Sequence, residues 1–319
     1  MKNPKVSIII PVKAWNNNLD ECLKNCEKLD YPDFEVILLP DHPLKVQYKS
    51  VRVIPTGEIG PSEKRDLGIK HSNGVIIAFL DDDAYPVRSW LSSAVKHFDN
   101  PEIGGVGGPA VTPPTDNLWQ QASGAVFESF LASAHYVYRY LPRKMRDEDD
   151  YPTVNFIVPR AVIDKIGGFD NIYWPGEDTV LCLKITHELK KRIIYDPSVL
   201  VYHHRRELFK GHLKQVGNYA LHRGFFVKKF PQTSLRPGYF VPSVFVVWLI
   251  AGGVFALFFN RAAVLYFTVN GIYALALLYE GVKRKNLRLG VLTIAGIFVT
   301  HLLYGTNFIR GLLAKELKR

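Results

Sequence analysis

An apolar run, Val75 to Leu80, stops abruptly at three consecutive carboxylates, Asp81, Asp82 and Asp83. The run has the length and composition of a buried strand. Adjacent like charges repel, and each is costly to remove from water, so nothing in folding favours such an ending. A bound cation removes that penalty. In extended chain, residues i and i+2 point the same way, which lets Asp81 and Asp83 face one site while Asp82 points elsewhere. Hard carboxylate oxygens suit Mg2+ or Mn2+, and Mg2+ commonly bridges a few carboxylates to substrate phosphates. The plainer reading is an acidic turn after a strand, and the tripeptide alone does not choose between them.

The surrounding chain alternates strand and helix patterns. Residues 6–10, 35–39, 51–54, 75–80 and 153–158 read as strands, and 19–29, 61–71, 161–166 and 177–189 as helices. Ser89 reads as the N-cap of a further helix ending near Phe98. Alternation of this kind argues for an α/β domain with a mainly parallel sheet, in which ligands bind beyond the carboxyl ends of the strands. Asp81 and Asp83 lie at one such end, Asp41 at another, and Pro11 and Val12 follow the first strand. No Gly-x-Gly-x-x-Gly follows that strand and no P-loop is present, so dinucleotide and ATPase readings lose their support. The glycine run from Gly104 to Pro109 is either a flexible turn or a place where backbone approaches a ligand. The charged run from Met145 to Asp150 reads as a solvated loop. Cys22, Cys26 and Cys182 have no metal-site or disulfide spacing, which fits a reducing compartment.

The net charge of +10 belongs to the C-terminal third, which from His203 onward contains three Glu and no Asp. A basic third points to nucleic acid or to an anionic membrane surface. Composition decides for the membrane and against nucleic acid. Residues 240–259, 262–279 and 289–309 are apolar segments, each about the 20 residues needed to cross a bilayer. Before them, 208–230 interleaves Lys210, Lys214, Arg223, Lys228 and Lys229 with aromatic residues, the pattern of a helix lying on anionic headgroups. Met1-Lys2-Asn3-Pro4 leads straight into a strand with no signal peptide, so the reading expects a multi-pass protein of the cell membrane with a cytosolic N-terminal part. The expected division is a catalytic domain over 1–206, interfacial helices over 207–238, and a membrane region of two or three spans over 239–319. Three spans keep the basic loop at 283–288 inside, as the positive-inside rule prefers, but put the basic tail outside, against it.

Pro175-Gly176-Glu177-Asp178 opens the helix expected from 177. A carboxylate there is either a cap favoured by the helix dipole or a general base. At this point the chain resembles the family 2 glycosyltransferases of GT-A fold, over roughly residues 5–230. The resemblance rests on several matches in order: the first strand into Pro11-Val12, the run Gly60 to Gly68, Phe79-Leu80-Asp81-Asp82-Asp83, Gly167-Gly168-Phe169-Asp170, and Gly176-Glu177-Asp178.

The resemblance implies a GT-A, Rossmann-like nucleotide-sugar-binding domain followed by a helical transmembrane region. It implies Mg2+ or Mn2+ held by Asp81 and Asp83, with His203 or His204 completing the metal site. Pro11, Val12, Asp41, Lys64, Arg65, Asp81 and Asp82 are then nucleotide-sugar contacts, and Arg205 and Arg206 neutralise the leaving diphosphate. Asp178, with Glu177 beside it, is the catalytic base. The implied partners are a nucleotide-sugar donor, a lipid-linked acceptor and membrane lipids, with no nucleic acid; oligomeric state is left open. Two departures bear on this. Leu39-Pro40-Asp41-His42-Pro43 replaces the family's frequent Asp-Asp-Gly-Ser, which weakens the role of Asp41. The Gln-x-x-Arg-Trp signature of processive synthases is absent, which favours transfer of a single sugar. A base is needed for a hydroxyl acceptor and not for an anionic phosphate, so the Glu-Asp pair favours a hydroxyl over a polyprenyl-phosphate acceptor.

Overall fold

A computed structural model describes residues 3–48, 50–169 and 173–317. Asp170, of the Gly167-Gly168-Phe169-Asp170 motif, and the last two residues of the basic tail lie outside the described residues. The chain divides into two compact units, one formed by residues 1–113 and 138–204, the other by 114–137 and 205–319.

The first unit is built on an eight-stranded sheet. Its strands are β1 (Val6–Pro11), β2 (Phe34–Leu39), β3 (Val51–Val53), β4 (Ile76–Leu80), β6 (Ile103–Gly107), β8 (Arg146–Glu148), β9 (Asn155–Pro159) and β10 (Arg192–Tyr195), in the order β3-β2-β1-β4-β9-β6-β10-β8. β5 (Ala84–Pro86), β7 (Ala110–Val111) and β11 (Val201–His203) form a second, three-stranded sheet. β1 and β4 are buried at every position, so their sequences read as unbroken apolar runs rather than alternating ones. The expected parallel order holds for β3-β2-β1-β4 and for β6-β10. It fails at β9, which runs antiparallel to both β4 and β6 and makes the sheet mixed. Antiparallel neighbours need no crossover helix, and β9 is reached after an excursion into the other unit.

The helices of this unit are α1 (Asn17–Cys26), α2 (Pro61–His71), α3 (Trp90–Val95), α6 (Arg160–Ile166) and α7 (Glu177–Leu183). Asn16 caps α1 by accepting from Leu19 N, and Leu19, Cys22, Leu23 and Cys26 give α1 its buried face. Ser89 stands before α3 without a side-chain cap, and the helix tightens into a 3-10 turn over Lys96–Asp99. The glycine run forms strand β6 and its exit rather than a flexible turn. A β-carbon at Gly107 would lie 2.3 Å from the Tyr151 ring, and one at Gly108 would lie 1.7 Å from the Val199 carbonyl oxygen. The charged run is likewise partly structural: it supplies β8 and ends at Asp150, which is buried and accepts from the Thr179 hydroxyl at 3.0 Å.

The second unit is helical. It comprises α4 (Leu118–Phe127), α5 (Phe130–Ser133), α8 (Lys210–Lys229), α9 (Pro231–Ser234), α10 (Pro237–Val247), α11 (Gly253–Phe258), α12 (Asn260–Val282) and α13 (Leu287–Leu313). Three helices are long and apolar enough to cross a membrane: Pro237–Phe258, Asn260–Val282 and Leu287–Leu313. The chain is therefore a multi-pass membrane protein. Asn270 satisfies its amide within α12 by donating to the Tyr266 carbonyl, and His301 is held inside the unit by Tyr273 Oη and the Leu131 carbonyl.

Candidate active site

The carboxyl ends of β1, β2 and β4 and the N-terminus of α7 carry the expected site residues, and α2 ties them together. Lys64 and Arg65, successive residues of α2, are both buried. The Lys64 ammonium donates to the Val12 carbonyl at 2.5 Å, to the Leu39 carbonyl at 3.2 Å and to the Asp41 carboxylate. Its three protons thus join the ends of β1 and β2. Pro11 closes β1, and Val12 extends it by donating to the Leu39 carbonyl.

Arg65 makes the longer connection. Its Nη2 donates to Asp81 Oδ1 at 2.9 Å and its Nη1 to Glu177 Oε1 at 3.0 Å. One planar guanidinium therefore holds the end of β4 to the start of α7. Among the described residues the buried Nε of Arg65 has no hydrogen-bond partner. Burial works against its charge, but Asp81 and Glu177 override it and hold the guanidinium above its ordinary value. Its centre lies 5.7 Å from the Phe169 ring, which meets Phe79 of β4 edge-on at 5.1 Å. The Gly167-Gly168 turn that presents Phe169 is pinned to α2 by Asp66, which accepts from Phe169 N at 3.0 Å. Gly168 has φ +80°, and a β-carbon there would also strike Asp66. Sequence reading named this motif without a role for it. The structure gives one, a support beneath Arg65.

The three aspartates separate. Asp81 faces Arg65. Asp82 accepts from Asn16 Nδ2 at 2.8 Å, while burial and the neighbouring Asp83 push its carboxyl up to about 6. Asp83 Oδ1 lies 3.2 Å from His203 Nε2. His203 and His204 also diverge. His203 ends β11, and pairing of β11 with β5 sets its ring against Asp83. The His204 ring turns to Glu21 of α1 at 3.1 Å, and its backbone N–H donates to the Asp83 carbonyl. Among the described residues no group of three or more His, Cys, Asp or Glu side chains is placed to hold a metal ion. Asp83 and His203 supply a carboxylate oxygen and an imidazole nitrogen. That set fits an ion that takes its remaining positions from diphosphate and water.

At α7, Glu177 is buried and Asp178 is partly exposed in the first turn, where the dipole favours negative charge. Asp178 Oδ1 accepts from Thr179 N at 2.8 Å, which fixes its rotamer. Gly176 enters the helix at φ 121°, a conformation that side chains rarely permit. Arg205 and Arg206 belong to the second unit. There Arg205 is buried, with its guanidinium 5.8 Å from the Phe127 ring and its backbone N–H directed to Asp116, and Arg206 is exposed.

A family model described as glycosyl transferase family 2 matches residues 7–167, half of the chain. The chain belongs to glycosyl transferase family 2. Among curated relatives, the pre-mycofactocin glycosyltransferase of Mycobacterium tuberculosis (strain ATCC 25618 / H37Rv) is 31% identical over 152 residues, covering 47% of this chain and 31% of the relative. Glycosyltransferase AglE of Haloferax volcanii is 26% identical over 189 residues, covering 55% of this chain and 59% of the relative. The chain thus spans less than two thirds of the length of these relatives. Among solved structures, a mannosyltransferase from Pyrobaculum calidifontis, in complex with GDP-Man and Mn2+, superposes with a TM-score of 0.57 at 20% identity, covering 98% of this chain and 88% of that one. That likeness establishes a GT-A-like fold with C-terminal apolar helices.

Proposed function

We propose that this chain moves one sugar from a nucleoside-diphosphate sugar to a hydroxyl of a lipid-linked saccharide, at the cytosolic membrane face and with inversion at the anomeric carbon. The observation that supports this best is the double ion pair of Arg65. It brings Asp81, at the end of a strand where phosphates bind in such sheets, together with Glu177, the neighbour of Asp178. A diphosphate site and a base on one rigid frame are what direct displacement requires.

In this reading Asp178 takes the proton of the attacking hydroxyl. Its place in the first turn of α7, where the helix dipole favours negative charge, suits that role. Asp83 and His203 would hold the divalent ion, which when bound supplies positive charge to the departing diphosphate. Of the two sequence candidates, His203 is favoured because its ring faces Asp83. Nitrogen in the donor set favours Mn2+ over Mg2+. Lys64 acts at one remove, fixing Val12 and Asp41 at the rim of the nucleotide pocket.

The test is nucleotide release from GDP-, UDP- and dTDP-sugars by the purified full chain, with Mn2+ or Mg2+, with and without a membrane lipid extract. GDP-mannose comes first because the structural neighbour binds it. Release that requires both metal and lipid is expected, and Asp178→Asn should lower it about 10²–10⁴-fold. Full activity of Asp178→Asn would replace the hydroxyl acceptor with a phosphate. Equal release with free sugars would remove the lipid from the reading.

A further inference from the structure

Helix α8 runs beside α13, and the two sequences advance together. His212 Nε2 meets Thr300 Oγ1 at 3.0 Å, and Gly217 faces Leu303 and Asn307. Gly311 lies against the Leu221 carbonyl, Gly224 against that of Phe308, and Lys228 Nζ donates to the Ala314 carbonyl at 2.5 Å. The helices are therefore parallel, in close backbone contact through their glycines, over nearly the whole of α8.

That arrangement fixes their depth in a bilayer together. If α13 stood across the membrane, its midpoint near Thr300 would carry His212 with it. Lys214, Gln215 and Asn218 would follow into the hydrocarbon, where a charged side chain is strongly disfavoured. Lys214 and Asn218 are exposed, so protein does not shield them. The same midpoint is clamped by another non-membrane segment. The Leu131 carbonyl binds His301, and Val126 covers Gly296. α13 also differs from the other two apolar helices. In its most apolar window 39% of residues are buried inside the unit, against 6% in each of the others. Its second half carries Thr306, Asn307 and Arg310.

By contrast, α10–α11 and α12 form an antiparallel hairpin. Phe245 packs on Tyr273 at 4.5 Å and Trp248 on Tyr266 at 5.8 Å. Phe267, Ile272, Leu275 and Leu278 of α12 are exposed. Those are faces for lipid tails.

We propose that α13 does not cross the bilayer. With α8 it forms a two-helix platform lying in the lipid–water boundary and docked on anionic headgroups, and the α10–α12 hairpin alone spans the membrane. The occupant is argued from charge. Lys210, Lys214, Lys228 and Lys229 are exposed along α8, and Arg310 and Lys315 are exposed at the end of α13. All six reach headgroup depth in this placement. It also returns the basic tail to the side that carries the 283–288 loop, as the positive-inside rule prefers.

The experiment places single cysteines at Lys210, Asn260 and Lys315 in the full chain. All three positions are exposed, and the native cysteines are buried. Sealed membrane vesicles of known orientation are treated with a membrane-impermeant maleimide. Lys210→Cys and Lys315→Cys should label from one face and Asn260→Cys from the other. Labelling of Lys315→Cys from the Asn260 face would overturn the proposal. A nitroxide on Thr306→Cys gives an independent reading. Collisions with a water-soluble nickel chelate are expected for a boundary helix, and protection from it with high oxygen access would overturn the proposal. Neither measurement depends on transferase activity.

Discussion

Arg65 offers the sharpest test of how the site is held. Arg65→Met removes the guanidinium and leaves Glu177, 6% exposed, facing the vacated space. Breaking a buried ion pair from one side costs about 3–5 kcal/mol. Two features reduce the loss. Gly176 N–H still reaches Glu177 at 3.0 Å, and the Asp81 side chain, 32% exposed, can rehydrate. The expected loss is thus at the lower end, about 3 kcal/mol, roughly 150-fold in the folding equilibrium. In a unit of this size that lowers the melting temperature by roughly 6–12 °C. The assay is thermal unfolding of the detergent-solubilised full chain, beside Arg65→Lys and the double variant Arg65→Met/Glu177→Gln. Lysine reaches one carboxylate and not both, so Arg65→Lys should fall between wild type and Arg65→Met. The double variant removes the orphaned charge and should recover at least about 1 kcal/mol. An Arg65→Met protein melting within about 2 °C of wild type would refute the reasoning, because no buried charge would then have been left uncompensated.

Three further outcomes follow from other contacts. His203→Ala should raise the Mn2+ concentration for half-maximal nucleotide release at least about 10-fold while His204→Ala leaves it nearly unchanged, since the His203 ring meets Asp83 and the His204 ring meets Glu21; equal effects would dissolve the distinction. Burial, with Arg205 second, lowers His212 to about 4 from an ordinary value of 6.5. The folded chain therefore takes up this proton later than the unfolded one. Its contribution is complete above pH 6.5 and is lost as pH falls toward 4, by about 3 kcal/mol in all. A melting series over that window should steepen in wild type relative to His212→Asn, and identical slopes would remove His212 as the cause. Gly107→Ala should cost about 1–3 kcal/mol by denaturant titration, because the Tyr151 ring it strikes is itself tied to the Gly108 carbonyl.

Much of the site could be read along the chain because its parts are local. A buried strand that ends in carboxylates and a carboxylate in the first turn of a helix are features a few residues long. β4 and α7 appear where the apolar runs and the Gly-Glu-Asp signal put them. The apolar helices follow from length and composition alone. What stayed hidden depends on partners far apart in sequence. The glycine run looks like a turn until Tyr151, Phe156 and Val199 are brought against it. Residues 114–137 sit within the first unit's sequence but fold with the second. Nothing in their own pattern announces the Val126 and Leu131 contacts to α13.

By itself, the sequence determined the strand-and-helix alternation, the placing of acidic groups at strand and helix ends, and the apolar, basic C-terminal third. These are matters of periodicity, solvation and charge, which each residue carries with it. Tertiary structure alone decided which histidine meets Asp83, that Arg65 is buried between Asp81 and Glu177, and that α8 shares its direction with α13. Neighbouring side chains on a strand leave on opposite faces, and a guanidinium reaches only a few ångströms. Those choices are made by register and packing, which exist once the chain has closed on itself.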